Sequence, residues 1–476
     1  MDIFNPLLPS VVDNLAEVYE NVESNQERYQ ILESKFKQLY NDKPLFYFRA
    51  PGRVNLIGEH VDYSGYPVLP FALQQDTIVA VSINNNNNLN IQNVNEKYTP
   101  KVNLNVDLEI EIDMANHHWT NYVLAAWKGV KNLGQTNSPL KALNLLYSGN
   151  VPTGSGVSSS SALVCVSTLA FTYINNLVFT KEELVDLSIK SERFVGIESG
   201  GMDQTISYLG EMNVAKLIEF QPLKTYDVTL PKSVSFIICN SLVESNKVIT
   251  GGIYYNLRVV ECRLAAVLLA HSLGLKWETV RKLKDVQYQS NLSLEQLIQK
   301  TEEILHKSAY TRQEVADILE MSLETLEKTY FPKGIKVAAQ SFELYKRATH
   351  VFSETLRVYQ FSNRCQNLVS NASHDLGALM NDSHFSCSKM FECSCPELDQ
   401  LTTICREFAL GSRLTGAGWG GATISIVESS KIESFLKNVN EKYYSQFDKS
   451  KIPVDSSHII ISSPSKGASI IPSSSI

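Results

Sequence analysis

Residues 151–162, VPTGSGVSSSSA, pass from a loop broken by Pro152, Gly154 and Gly156 into four consecutive serines, Ser158, Ser159, Ser160 and Ser161. An apolar, helix-compatible run over 163–179 follows. Unpaired backbone N–H groups and the positive end of a helix dipole favour an anion at such a start, and glycines let the backbone approach it with no Cβ in the way. A flexible Ser/Gly loop in front of a buried helix would have the same letters. No G-x-x-x-x-G-K-[ST] occurs, and Gly154-Ser155-Gly156 lacks the third glycine of a dinucleotide fingerprint. Phosphate binding here therefore rests on the serine-rich helix start itself. Serine hydroxyls are hard oxygen donors, so one of them with a carboxylate such as Glu192 suits Mg²⁺.

Farther upstream, Glu59, His60 and Asp62 form a polar triplet among the apolar Leu56, Ile57 and Val61. Carboxylates and an imidazole at this spacing suit a polyhydroxylated ligand, whose adjacent hydroxyls they accept from or donate to; capping acids in a helical turn are the plain alternative. A metal site through His60 lacks a second His at i+4. Asp203 follows the Gly200-Gly201 break, where functional groups are often presented. With Arg53 it supplies what phosphoryl transfer to a hydroxyl needs: a group to orient or deprotonate the acceptor, and a cation to steady the developing charge. Taken singly, a surface Asp in a Gly turn and a salt-bridged Arg are the more ordinary reading of such residues.

The elements that must position these groups alternate between helix and strand. Tyr29, Leu32, Phe36 and Leu39 have helical spacing within 27–40. Residues 45–48 are strand-like and broken by 50–52. Residues 77–83 and 89–94 are strands joined, as a hairpin, by the Asn-rich turn 84–88. The alternation of Leu108, Ile110 and Ile112 predicts another strand, 119–130 a helix, and 142–147 a strand entering the serine loop. Thr180 and Glu183 form a capping box that opens the helix bearing Glu192. Residues 214–220 and 234–240 are strands, and 254–273 is helical. The region 283–360 is helix-rich, with SLEQL and SLETL as N-cap-like starts. Pro396 opens a helix through 408, and a glycine-dense loop, 411–421, precedes a strand at 422–427. After a last strand at 458–461, the serine-rich tail 462–476 is expected to fray.

With 476 residues, 43% of them hydrophobic, the chain can bury a large core split over two or three domains. A net charge of −7 and the lack of a basic stripe argue against a nucleic-acid or anionic-membrane surface and for a small-molecule ligand. The N-terminus has no basic segment before its apolar residues, unlike a secretory leader, which implies a cytoplasmic protein. The most apolar window, 162–179, contains Ser167, Thr168, Thr172, Asn175 and Asn176 and is a core helix rather than a membrane span. The eight cysteines show no metal-ligand spacing, the crowded stretch 384–405 included, and are expected to be reduced and structural.

Four segments in order resemble the motifs of galactokinases in the GHMP kinase superfamily: PGRVNLIGEHVDY at 51–63, GVSSSSA at 156–162, GMDQ at 201–204 and LTGAGWGG at 414–421. The match spans roughly 46–427, and its first motif is close to diagnostic for the galactokinase branch. YNLRVVECRL at 255–264 and CSCPELD at 393–399 look most like the eukaryotic group that includes N-acetylgalactosamine kinase. The resemblance implies an α+β, two-domain GHMP kinase fold with its active site in the cleft. An N-terminal mixed-sheet, ribosomal-S5-like domain over 1–225 would carry the phosphate-binding loop, and a helix-rich α+β domain would occupy 226–476.

It also implies ATP-dependent phosphorylation of the C1 hydroxyl of galactose by a monomer that uses Mg²⁺. By that resemblance Asp203 accepts the C1 proton, Arg53 stabilises the carboxylate and assists the transferring group, and Glu59, His60 and Asp62 grip the sugar. Tyr255 closes the sugar pocket. Gly154, Ser155, Gly156, Ser158, Ser159, Ser160 and Ser161 line the phosphates, Ser160 and Glu192 contact Mg²⁺, and Asn246 with Lys247 approach ATP from the second domain. Trp119 is a candidate for the adenine pocket. Two details conflict over the sugar: Gly65-Tyr66 leans toward the N-acetylgalactosamine branch and Tyr255 toward galactose. A galactose and ATP sensor acting through a partner protein is the alternative of another class, although the serine loop and Asp203 are both intact.

Overall fold

The helix Ser159–Ile174 is apolar on every side, and a helix of that kind is stable only when surrounded. Two of its hydroxyls turn on their own backbone, Thr172 Oγ1 donating to the Thr168 carbonyl at 2.8 Å and Ser167 Oγ to that of Leu163 at 2.7 Å. In the computed structural model, which describes residues 7–113, 116–134, 139–196, 200–244, 254–331, 337–367, 371–453 and 458–476, this helix packs against a seven-stranded mixed sheet on one side and the helices Trp119–Lys131 and Lys181–Glu192 on the other. It stops at Ile174, five residues short of the expected end, at the turn formed by Asn175 and Asn176. Among the described residues no helix is long and apolar enough to cross a membrane.

The seven strands lie in the order Ser10–Val11, Ser469–Pro472, Phe46–Asn55, Pro70–Ile83, Leu143–Gly149, Asn88–Asn93, Val102–Asn105. Three sequence expectations are corrected here. Leu143–Gly149 runs between Pro70–Ile83 and Asn88–Asn93 and pairs in parallel with the latter, so residues 84–88 do not close a hairpin. Phe46–Asn55 is one ten-residue strand that passes through Pro51-Gly52 with a register shift, so the expected break is a bulge. Residues 108–112 form no strand; the strand beside Asn88–Asn93 is Val102–Asn105.

A second sheet, Gly411–Thr415, Ala422–Glu428, Val234–Asn240 and Ile459–Ser462, is antiparallel throughout and is joined by the long helices Tyr255–Ser272 and Leu344–Gln366. The helix-rich stretch is as expected, with Ser293 and Ser322 each capping a helix through its side chain. The capping box of Thr180 and Glu183 is present as well. The expectation of a fraying tail fails: Ser469–Pro472 returns to the first sheet and pairs antiparallel with Phe46–Asn55, with Ile470 and Ile471 buried. All eight cysteines are free thiols, and all but Cys395 are buried.

Candidate active site

Arg53 and Asn55 stand at the end of the bulged strand, and the segment that follows turns back on itself through Gly58 and His60, both with positive φ. A Cβ at Gly52 would lie 2.8 Å from both the Val157 carbonyl and the Val151 side chain, so the sharp approach to the serine loop requires glycine there. This brings the first motif against the start of Ser159–Ile174. The Arg53 Nη1 donates to the Gly156 carbonyl at 2.6 Å, and its Nε donates to Asp203 Oδ1 at 2.8 Å.

Asp203 sits in the first turn of the helix Met202–Leu209, whose N-cap Gly201 has φ 103°. The dipole of that helix favours a carboxylate there. Its other oxygen, Oδ2, accepts from Ser158 Oγ at 2.6 Å. Ser158 is in the left-handed region and makes no side-chain cap bond, so its hydroxyl is spent on Asp203 rather than on the helix start behind it. Ser161 Oγ donates to both oxygens of the buried Glu192, at 3.1 and 3.2 Å, and Gln204 Nε2 donates to Glu192 Oε2. Ser160 shares the lining of the neighbouring cavity with Tyr122, a phenol whose pKa is raised by burial and by the nearby Glu192.

Two cavities meet at this point. The larger, about 330 Å³, is lined by Gly154, Gly156, Ser158, Ser159 and Ser160 and, opposite them, by Tyr98, His117, Trp119 and Tyr122. The Trp119 ring lies edge-on to Tyr98 and Tyr147, and its indole N–H has no hydrogen-bond partner among the described residues. Ser155 and Ser161, by contrast, point away from this space: Ser155 Oγ accepts from Asn240 Nδ2 at 2.6 Å, and Ser161 is held by Glu192. Asn246 and Lys247 lie outside the described residues.

The smaller cavity, about 30 Å³, brings Arg53, Glu59, His60, Asp62, Asp203 and Tyr255 together with Gly416 and Ala417. His60 Nε2 meets the Ala417 carbonyl at 2.9 Å, which can only accept, so this nitrogen carries the proton; Nδ1 lies 3.0 Å from the Tyr63 hydroxyl. Tyr255 and Tyr63 have phenol pKa values well above the ordinary range, chiefly because they are buried, with Asp62 and Asp203 adding to the effect at Tyr255. Glu59 is more heavily bonded than its sequence role suggests. It accepts from Asn55 Nδ2, Thr415 Oγ1 and the Gly416 amide, and Arg413 stands 3.5 Å away. Tyr66 does not reach this cavity; its ring is fully buried and its hydroxyl faces the Leu283 carbonyl at 3.4 Å.

Sequence reasoning missed the groups that join the halves. Thr415, Gly416 and Arg413 lie in the glycine-dense stretch, and only the observed loop-on-loop packing shows why it is glycine-dense. A Cβ at Gly416 would be 2.4 Å from the Gly156 carbonyl, and one at Gly418 would be 2.0 Å from that of Cys393. Tyr122 was also missed, although it follows Trp119 at i+3 on the same helix face.

A phosphate-sized groove on a serine-rich helix start, next to a carboxylate–arginine pair and closed by a second glycine-rich loop, defines a GHMP-type kinase. Family models agree: "GHMP kinases N terminal domain" matches residues 121–211, "GHMP kinases C terminal" matches 366–445, and "Galactokinase galactose-binding signature" matches 34–83. A galactokinase of Dictyostelium discoideum is 63% identical over 99% of this chain and 100% of its own length, and that of Saccharomyces cerevisiae is 35% identical over 91% and 93%. Among solved structures, Lactococcus lactis galactokinase complexed with galactose superposes with TM-score 0.71 at 25% identity, covering 93% of this chain and 99% of that one. The mevalonate kinase of Methanococcus jannaschii, with TM-score 0.51 and 16% identity over 83% of this chain and 95% of that one, shares the fold. The chain belongs to the galactokinase family and has its two-domain α+β fold.

Proposed function

We propose that the chain phosphorylates the C1 hydroxyl of galactose with ATP, with the small cavity as the sugar site and the large one as the nucleotide site. One observation carries this reading: Ser158 lines the large cavity, Asp203 lines the small one, and a 2.6 Å hydrogen bond connects them. A γ-phosphoryl group lying over the serine loop then faces a hydroxyl lying over Asp203. Asp203 takes the proton as the sugar oxygen bonds to the γ-phosphorus, the bond to the ADP oxygen breaks, and ADP leaves. Arg53, bonded to Asp203 Oδ1 at 2.8 Å, orients that carboxylate and then, with the loop amides, offsets charge on the transferring group. An anomeric hydroxyl is more acidic than an ordinary alcohol, so positioning by Arg53 counts for more than the basicity of Asp203.

His60 with its proton on Nε2, Glu59, Asp62 and Tyr255 set the sugar's orientation. The indole N–H of Trp119 is a free donor for a purine acceptor, with Tyr98 and Tyr147 as apolar walls. Glu192 and the Ser160 hydroxyl are hard oxygen donors near the serine loop and would hold Mg²⁺, which would neutralise charge on the ATP phosphates. The family resemblance alone assigns Asn246 and Lys247 to ATP. We take residues 1–225 together with the returning strand Ser469–Pro472 as one folding unit and the remainder as the other, in a monomeric cytoplasmic enzyme.

Tyr66 lies outside the cavity while Tyr255 lines it, which supports galactose over N-acetylgalactosamine. ATP consumption with galactose, N-acetylgalactosamine, glucose and no sugar tests the reading. Turnover on galactose alone is expected; faster turnover on N-acetylgalactosamine would reassign the substrate. Turnover on none of the sugars would leave a sensor.

A further inference from the structure

His60 is walled in by rings from three separate segments. Phe391 lies 4.7 Å from it between centroids, Tyr255 5.5 Å and Trp419 5.6 Å. Neither Phe391 nor Trp419 belongs to a regular element that would fix it. Phe391 ends a π-helical turn before Glu392, which has φ 54°, and Trp419 has φ 52° in the glycine-rich loop. Backbone of this kind persists only where its surroundings over-determine it.

The surroundings are a buried charge cluster. Arg258 follows Tyr255 at i+3 on the helix Tyr255–Ser272 and is 6% exposed. Its Nε donates to the Phe391 carbonyl at 2.8 Å and its Nη2 to the Glu392 carbonyl at 3.2 Å, and the guanidinium stands 5.7 Å from the Trp419 ring centroid. The Trp419 indole N–H donates to the same Glu392 carbonyl at 3.0 Å. Arg258 is itself held by Glu261 at 3.1 Å, and Glu261 by the buried Arg347 at 2.7 Å; Arg347 also reaches the Met390 carbonyl and the Glu392 carboxylate. None of Arg258, Glu261, Arg347 and Glu392 lines either cavity of the active site.

We propose that Arg258 is a positioning residue for galactose, acting through the Phe391–Glu392 carbonyls and the Trp419 ring to hold the His60 imidazole and the Ala417 carbonyl in register. The inference rests on reading the small cavity as the sugar site. It assigns Arg258 to the sugar end alone, because Phe391, Ala417 and Trp419, the groups it braces, do not line the large cavity over the serine loop. Lysine keeps the charge beside Glu261 and Trp419 but cannot donate in a fixed fork to two carbonyls at once.

Steady-state kinetics of full-length Arg258→Lys, with galactose and ATP varied separately, test this. The expected result is a KM for galactose raised about tenfold, kcat within about threefold of the parent and an unchanged KM for ATP. A galactose KM within twofold of the parent overturns the proposal, and so does an equal rise in both KM values, which a merely structural brace would give. If Arg258→Lys does not fold, Trp419→Phe removes the indole donor while keeping an aromatic ring; it should show the same selective rise at about threefold, and no rise overturns the proposal. Asp203→Asn in the same series separates the premises. Retained turnover there sinks the sugar-site reading, whereas lost turnover with an unmoved galactose KM in Arg258→Lys sinks only the positioning role.

Discussion

The two ends of the active site are built by opposite means. At the proposed sugar end three of the lining side chains are already bonded to other parts of the chain: Glu59 to four partners, His60 through both nitrogens, Asp203 through both oxygens. Its volume of about 30 Å³ has room for roughly two waters, so on the proposed reading a hexose would enter by replacing internal hydrogen bonds with its own. At the nucleotide end the cavity is about eleven times larger, 330 Å³ against 30 Å³, and is walled by backbone, serine hydroxyls and an unpartnered indole. Selectivity therefore resides where binding must exchange like for like. An unpaired partner left behind in a buried polar site costs far more than a lost apolar contact.

The contrast depends on the seam where the loops 154–161 and 415–421 touch, and Gly416→Ala strikes it hardest. The new methyl would lie 2.4 Å from the Gly156 carbonyl at a φ of +84°. We expect a stability loss of about 1–3 kcal/mol and a drop in kcat/KM for both substrates on the order of 100-fold. Gly134→Ala, also at positive φ but with open space around it, should cost stability alone. Equal kinetics for the two variants would show that the seam does not set the geometry of either end.

A smaller effect sharpens the sugar end. His350 donates from Nε2 to the Glu59 carbonyl at 3.0 Å and accepts from Ser386 through Nδ1; burial pushes its pKa down to about 4. Because the folded pKa lies below the unfolded value of 6.5, the unfolded chain binds the extra proton first. The stability from neutral His350 is complete above pH 6.5 and is lost as pH falls toward about 4. Glu354 continues the loss below its ordinary 4.5 toward about 2, because Arg357 and Arg413 outweigh the opposing effect of its burial. Denaturant midpoints followed from pH 7 to 4 should fall for the parent and fall less steeply for His350→Gln. A parallel decline in both would remove His350 from the network beneath Glu59.

The sequence was legible where a residue's own chemistry decides its place. The Thr180 capping box, the two serine caps and the wholly apolar helix behind the serine loop follow from side-chain and backbone groups a few residues apart. The motif residues Arg53, His60, Asp62, Asp203 and Tyr255 do converge on one cavity. What was hidden depends on contacts distant along the chain. Nothing near residues 84–88 signals that a strand sixty residues on will insert beside them. Ser469–Pro472 is strand only because the free edge of Phe46–Asn55 receives it. Within the serine run, helical geometry assigns the labour: Ser158 faces Asp203, Ser161 faces Glu192 and Ser160 faces Tyr122, a division that four identical letters could not show.

The carboxylate where the two cavities meet is the most direct place to probe. Galactose binding to Asp203→Asn, measured by calorimetry, together with its kcat under saturating ATP and galactose, should show affinity within a few-fold of the parent and turnover reduced about a thousandfold or more, since the amide keeps the shape but not the charge or the proton acceptor. A kcat within about tenfold of the parent, with galactose still bound, would contradict the role of Asp203 as the group that receives the sugar's proton.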